Sequence, residues 1–325
     1  MSEPEGLEHH TIRTNGIHLH CAVAGKGPLV ILLHGFPECW YSWRHQIEAL
    51  SPYFRVVAPD LRGYGDSDKP QGVSSYTLPS LTADVRGIVE AFGAHQAVIV
   101  GHDWGGALAW AFAATYPDQT ARLIVLNCPH PGVFARHLSS NPRQVLRSWY
   151  MFFFQIPWVP EYALTAQDHW AIGRIFRATA SREDAFRDED VERYKRAAAQ
   201  PGALTAAINY YRAAFRGRQA LALLPAPIRC VAELLVGPIP YPVSAPKIEA
   251  PTLLIWGEDD PFLGKELTEG MEPLFKGRFE TKYIAGCSHW VQQEEPRLVN
   301  QYILEFLADM RGLTHNNLES PDKVP

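Results

Sequence analysis

Cysteine is scarce in this sequence, and what there is lies scattered. Five cysteines (Cys21, Cys39, Cys128, Cys230 and Cys287) in 325 residues are odd in number and form no Cys-x-x-Cys pair. That excludes a disulfide scaffold and points to free thiols in a reducing compartment, with no metal site implied. An excess of positive charge is also missing. Thirty Lys and Arg against 35 Asp and Glu leave a net charge of −5, which argues against general affinity for nucleic acid or anionic membranes. No apolar run reaches the ~18 residues of a membrane span. The densest, 150–160, is short and contains Gln155 and Pro157. The opening MSEPEGLEHH is polar and acidic and lacks the basic and apolar regions of a signal peptide. There is no internal repeat or low-complexity tract. A cytoplasmic, soluble protein with neither nucleic acid nor membrane as partner is expected.

Aromatic residues, by contrast, are plentiful. The chain holds nine Trp, 13 Tyr and 15 Phe, six of them between Trp149 and Trp158. Its length suits two domains or one elaborated domain with a large core.

The first 130 residues alternate short β-rich runs with helical patterns. Strands are expected at 17–23, 28–33, 55–59, 97–100 and 122–126, and helices at 40–51, 78–92 and 107–115. Such alternation implies crossover connections and hence a mostly parallel sheet covered on both faces. From Cys128 to about Lys247 the pattern becomes helical, rich in Ala, Arg and aromatics, with no clear strand. Alternation resumes with a strand at 252–256, a helix near 265–275, a strand at 281–284 and a helix at 296–310. The simplest organisation is an α/β core of residues 1–129 and 248–312, interrupted by a helical cap at 130–247. Seven prolines within 225–251 suit an extended return to the sheet, and the polar residues 313–325 are expected to be disordered.

Chemistry concentrates just past the strand ends, where open α/β sheets place their ligand sites. Gly101-His102-Asp103-Trp104-Gly105 puts a Gly-x-nucleophile-x-Gly pattern between a predicted strand and a predicted helix. This is the context of a nucleophile elbow, here with Asp in the middle. An acidic run, Glu258-Asp259-Asp260, follows a later strand, and Gly286-Cys287-Ser288-His289-Trp290 follows the last one. Nucleophile, acid, then His is the chain order of an α/β-hydrolase triad. Leu33-His34-Gly35-Phe36-Pro37 stands where that fold supplies half of its oxyanion hole, through the Phe36 N–H; the Trp104 N–H would be the other half. His102, beside the nucleophile, is expected to point away from it and to be structural, and Cys287 to pack in the core.

With HGFPE at 34–38, DLRGYGDSD at 60–68, GHDWGG at 101–106 and GCSHW at 286–290, the chain resembles the α/β-hydrolase fold epoxide hydrolases over nearly all of residues 8–311. The resemblance implies a triad of Asp103, Asp260 and His289, with Asp259 the alternative for the acid. It also implies two cap tyrosines, found here as Tyr150 in an aromatic-rich segment and Tyr211 in Asn209-Tyr210-Tyr211-Arg212, with Tyr210 the alternative. The implied reaction is attack of Asp103 on an epoxide carbon, ring opening assisted by the two tyrosines, and hydrolysis of the ester by water activated at His289. The product is a vicinal diol; the partners are a small hydrophobic epoxide and water, with no metal or organic cofactor. Phe36, Trp104, Phe153, Phe154, Phe262 and Trp290 are expected to line the pocket, with most of the 149–158 cluster packing in the cap floor.

Two other readings compete. A haloalkane or haloacid dehalogenase uses the same Asp on the same fold. However, haloalkane dehalogenases usually carry Asn at the position of Phe36, and fluoroacetate dehalogenases carry arginines just after the nucleophile, where this chain has Trp104-Gly105-Gly106. A non-catalytic ligand-binding homologue would keep the fold alone, yet every catalytic position holds a competent residue. The sequence leaves open monomer or homodimer, with the apolar stretch 231–243 as the segment that would form an interface.

Overall fold

The computed structural model describes residues 4, 6–215 and 247–311. The proline-rich return at 225–246, Cys230, the 231–243 stretch and the 313–325 tail lie outside the described residues. Eight strands form one sheet: β1 (Glu8–Thr14), β2 (Ile17–Ala24), β3 (Leu29–Leu33), β4 (Arg55–Pro59), β5 (Ala97–His102), β6 (Thr120–Leu126), β7 (Thr252–Gly257) and β8 (Phe279–Ile284). They lie in the order β1-β2-β4-β3-β5-β6-β7-β8. The pairs β1–β2 and β2–β4 are antiparallel and all others parallel. Strand β3 is wholly apolar and buried on both faces because helices cover both sides of it.

The helices of this layer are α1 (Arg44–Leu50), α2 (Leu78–Ala91), α3 (Trp104–Thr115) and, at the end of the chain, α10 (Val291–Glu294) and α11 (Pro296–Phe306). Between β6 and β7 the described chain is helical: α4 (Pro131–Ser140), α5 (Pro142–Arg147), α6 (Trp149–Phe153), α7 (Val159–Thr179), α8 (Asp188–Ala198) and α9 (Ala203–Phe215). Helix α7 is interrupted at Ala166–His169, where Gln167, Asp168 and His169 take positive φ. No helix among the described residues is long and apolar enough to cross a membrane.

The parallel strands turn back at one place. Strand β4 lies on one side of β3 and β5 on the other, so the connections after β3 and β5 diverge and open a crevice at their carboxyl ends.

Several elements differ from the sequence expectation. Strand β1 is unexpected because its residues are mostly exposed and show no apolar alternation. It exists because Asn15 and Gly16, both at positive φ, make the tight hairpin that pairs it with β2. The helix expected near 265–275 is instead two 3-10 turns, Lys265–Thr268 and Glu272–Leu274. Gly270 at φ 65° breaks the run between them, and Pro273 lacks the N–H a helix interior needs. The helix expected at 40–51 begins as a 3-10 turn, Trp40–Trp43, before α1, and the last helix stops at Phe306. Helix α3 starts three residues earlier than its composition suggests, directly after Asp103; Gly105 and Gly106, poor helix formers, hide that start.

Candidate active site

Asp103 occupies the turn between β5 and α3 with φ 51° and ψ −119°, a conformation that strains any residue with a Cβ. Its neighbours are small because backbone passes close by. A Cβ on Gly105 would lie 1.9 Å from the Leu33 carbonyl oxygen, and one on Gly35 would lie 2.4 Å from Asp103 Cβ. The β3 and β5 loops therefore close on each other, and the Phe36 N–H donates to Asp103 Oδ1 at 2.8 Å. Trp104 opens α3, so its N–H has no acceptor within the helix, and the helix N-terminus favours negative charge beside it.

The other carboxylate oxygen of Asp103, Oδ2, lies 3.7 Å from His289 Nε2. His289 Nδ1 donates to Asp260 Oδ2 at 2.7 Å. Asp260 Oδ1 accepts from the N–H groups of Phe262 and Leu263 at 2.8 and 2.9 Å, fixing the carboxylate on the turn after β7. Of the acidic run, Asp260 is buried against the imidazole, Asp259 is exposed and Glu258 pairs with Lys265. One further residue holds Asp260. Asn127, fully buried at the end of β6 with φ 38°, donates from Nδ2 to Asp260 Oδ2 at 2.8 Å and accepts the Gly257 N–H at 2.8 Å. The sequence reading missed it; a lone Asn closing the apolar strand 122–126 was the available signal.

Burial opposes a charge on His289, yet the carboxylates of Asp260 and Asp103 outweigh it and raise its pKa to about 10. Burial likewise would raise the Asp103 pKa, but its bond to His289, the imidazolium charge and the Phe36 N–H hold it below the usual carboxylate range. The resting pair is thus carboxylate and imidazolium.

His102 points away from Asp103. Its Nδ1 lies 2.9 Å from Glu38 Oε2 and its Nε2 2.9 Å from the His289 carbonyl oxygen. Glu38, 1% exposed, also accepts the Gly35 N–H at 3.0 Å. One buried carboxylate thereby ties the β3 loop to the elbow behind Asp103.

Across the crevice stand the helical block's aromatics. Tyr211 on α9 packs edge-on against Trp104, Phe154 and Phe36, with ring centroids 4.9, 4.9 and 5.7 Å away. Tyr150 on α6 lies 5.9 Å from Tyr211 and 5.6 Å from Phe262, and Phe262 lies 5.3 Å from the His289 ring. Burial, and then the Asp103 carboxylate, push both tyrosines well above their ordinary pKa, so both hydroxyls keep their protons. Tyr210 points elsewhere: its hydroxyl donates to the Arg62 carbonyl at 2.7 Å. Arg212, 7% exposed, joins the two tyrosine-bearing segments. It donates to the Phe154 and Ile156 carbonyls, both at 3.0 Å, and to Glu161 at 2.6 and 3.1 Å. Phe153 and Phe154 touch each other, and Trp290 is buried between His289 and Phe176. Within the 149–158 cluster, Trp149 and Trp158 are exposed, while the remaining aromatics pack.

For a metal, the described residues offer one group of His and carboxylate ligands, His20, Asp60 and Asp66. There Asp60 Oδ2 already accepts from His20 Nδ1 at 2.8 Å and from the Asp66 N–H at 3.0 Å.

Comparison with known proteins agrees with this architecture. The model of a family described as alpha/beta hydrolase fold matches residues 28–296. Epoxide hydrolase 4 of Mus musculus is 38% identical over 304 residues, covering 92% of this chain and 78% of its own length. An AB hydrolase superfamily protein of Bacillus subtilis (strain 168) is 40% identical over 309 residues, covering 94% and 99%. A crystal structure of Bacillus megaterium epoxide hydrolase in complex with an inhibitor matches with a TM-score of 0.81 at 32% identity, over 92% of this chain and 99% of that one.

Proposed function

The chain belongs to the alpha/beta hydrolase fold family and acts on epoxides, and from that premise we propose that it converts a hydrophobic epoxide to a vicinal diol through an ester on Asp103. The observation that carries this reading is the division of labour at one carboxylate. Oδ1 is held by the Phe36 N–H, while Oδ2 faces the His289 imidazole and the crevice.

In the first step Asp103 Oδ2 attacks an epoxide carbon; the new C–O bond forms as the ring C–O bond breaks. A carboxylate suits displacement at an sp³ carbon because it is ionised at neutral pH without a base. The alkoxide produced takes hydrogen bonds from Tyr150 and Tyr211 and a proton from one of them, which solvent restores. In the second step water adds to Asp103 Cγ and gives its proton to His289. The tetrahedral oxyanion develops on Oδ1, where the Phe36 and Trp104 N–H groups meet it, each such donor contributing about 3 kcal/mol. Collapse breaks the ester bond and the diol oxygen takes the proton from His289; the second proton of the water, left on the Asp103 carboxyl group, then passes to His289 and restores carboxylate and imidazolium.

His289 is an imidazolium at rest and cannot accept a proton. Esterification removes the negative charge of Asp103, one of the groups that raise its pKa, so the imidazolium releases its proton to solvent and becomes a base only once the ester exists. Asp260 then orients it and stabilises the returning charge. The helices α4 to α9 supply the lid, and Phe36, Trp104, Phe153, Phe154, Phe262 and Trp290 the apolar lining.

The test is a substrate panel of epoxides, haloalkanes, fluoroacetate and aryl esters, run with wild type and with Asp103→Ala. Diol formation from epoxides by wild type alone is expected. Epoxide turnover that survives Asp103→Ala refutes the mechanism.

A further inference from the structure

The helical block is fastened to the α/β layer at several places, Gln144 on the Phe262–Gly264 loop and Asp190 on Tyr41 among them, and two others lie beside different reactive groups. One is under Tyr211. Its neighbour Tyr210, 1% exposed, donates to the Arg62 carbonyl at 2.7 Å. Arg62 in turn is forked onto Asp84 of α2 by two bonds of 2.7 Å. The Tyr210 ring also packs on Tyr64, Tyr76 and Trp104.

The second is on α10, the single turn that follows His289 and Trp290. Tyr194 of α8, fully buried, donates to Gln293 Oε1 at 2.6 Å. Arg44 donates to the same oxygen at 2.9 Å, and Gln293 Nε2 donates to Glu38 at 2.8 Å. Trp290 Nε1 donates to Thr179 at the end of α7 at 2.9 Å, and the Ser181 N–H donates to Glu294 Oε2 at 2.9 Å. The His289 loop is thus gripped by the block, whereas Tyr211 is set by a contact that shares none of these residues.

We infer that the two fastenings serve different half-reactions: Tyr210 on Arg62 positions Tyr211 for ring opening, and Tyr194 on Gln293 positions His289 for ester hydrolysis. This rests on the two-step reading above. Tyr210 and Tyr194 are positioning residues, since each hydroxyl is spent on a structural acceptor. Removing either hydroxyl keeps the ring; it deletes one buried hydrogen bond at Tyr210 and two at Tyr194, whose hydroxyl also accepts from Arg44 at 3.4 Å, and loosens the segment attached to it. The bonds from the two hydroxyls, Tyr210 to Arg62 and Tyr194 to Gln293, share no residue, so the loss reaches the step each adjoins.

The experiment is single-turnover quench-flow with enzyme in excess over an aryl epoxide that the wild type turns over, styrene oxide first. Ester on the intact protein is followed by mass. Tyr210→Phe is expected to slow ester formation about fivefold and leave its decay unchanged; Tyr194→Phe is expected to slow decay about fivefold and leave formation unchanged. At enzyme concentrations that saturate the observed rate of ester formation, these first-order rates do not depend on the folded fraction, so a loss of stability alone moves neither. Arg62→Lys, which weakens the fork that holds the Arg62 backbone on Asp84, and Gln293→Met, which removes the Tyr194 acceptor, are expected to reproduce the same split. Equal slowing of both steps by either tyrosine variant, the reverse assignment, or no change in either step overturns the inference. Absence of any ester in the wild type overturns instead the two-step reading on which it rests.

Discussion

Three loops converge on Asp103, and the proposed order of events follows from the charges there. With the His289 pKa raised to about 10 by Asp260 and Asp103, the pH limb of ester hydrolysis is expected below the titration of His289 in the free enzyme. NMR titration of free enzyme against the pH dependence of single-turnover decay measures both; coincident values contradict the charge argument. Stability follows the same linkage. A raised His pKa contributes stability that is complete below about 6.5, the unfolded value, and is lost as pH rises toward 10. The Tm difference between wild type and His289→Gln should therefore shrink across that interval. Asn127 supplies a third residue-scale expectation. Asn127→Ala removes one donor from Asp260 and should slow ester decay about tenfold with formation unchanged, an effect of about 1.4 kcal/mol. That Asp103, Asp260 and His289 come together was readable from sequence because each stands just past a strand in a fixed order. Asn127 was not, since its work depends on a neighbouring strand 130 residues away meeting it through Gly257.

At the scale of elements, legibility depended on whether the local sequence or its surroundings decided the conformation. Strands β3, β5 and β7 are apolar runs that name themselves. Strand β1 is held by pairing and a turn rather than by its own side chains, and the 265–275 segment is governed by Gly270 and Pro273 more than by its apolar content. The junction between α9 and the α6–α7 connection was legible only as a motif. Arg212 fills it, spanning two carbonyls and Glu161. Arg212→Met would leave Glu161 unpaired in a mostly buried place and two carbonyls without donors. A loss of about 3 kcal/mol is expected in chemical unfolding, together with slower ester formation, because Tyr150 and Tyr211 lose their common anchor. Unchanged stability would mean that the junction is held by the aromatic contacts alone.

For the whole molecule, the sheet order explains why residues 36, 103, 260 and 289 meet. The connections after β3 and β5 leave the sheet on opposite sides, and the helical stretch between β6 and β7 supplies the aromatics facing that crevice. Alternation of elements foretold the parallel sheet and the interruption; the fastening of the block to the His289 loop could not be foretold, because it joins side chains about a hundred positions apart. The central claim is that Asp103 becomes covalently bound. Enzyme in excess should be reacted once with an epoxide in ¹⁸O-water and the diol examined by mass. The account predicts a diol whose new oxygen is unlabelled, with ¹⁸O retained in Asp103. A labelled diol from that first turnover would contradict it.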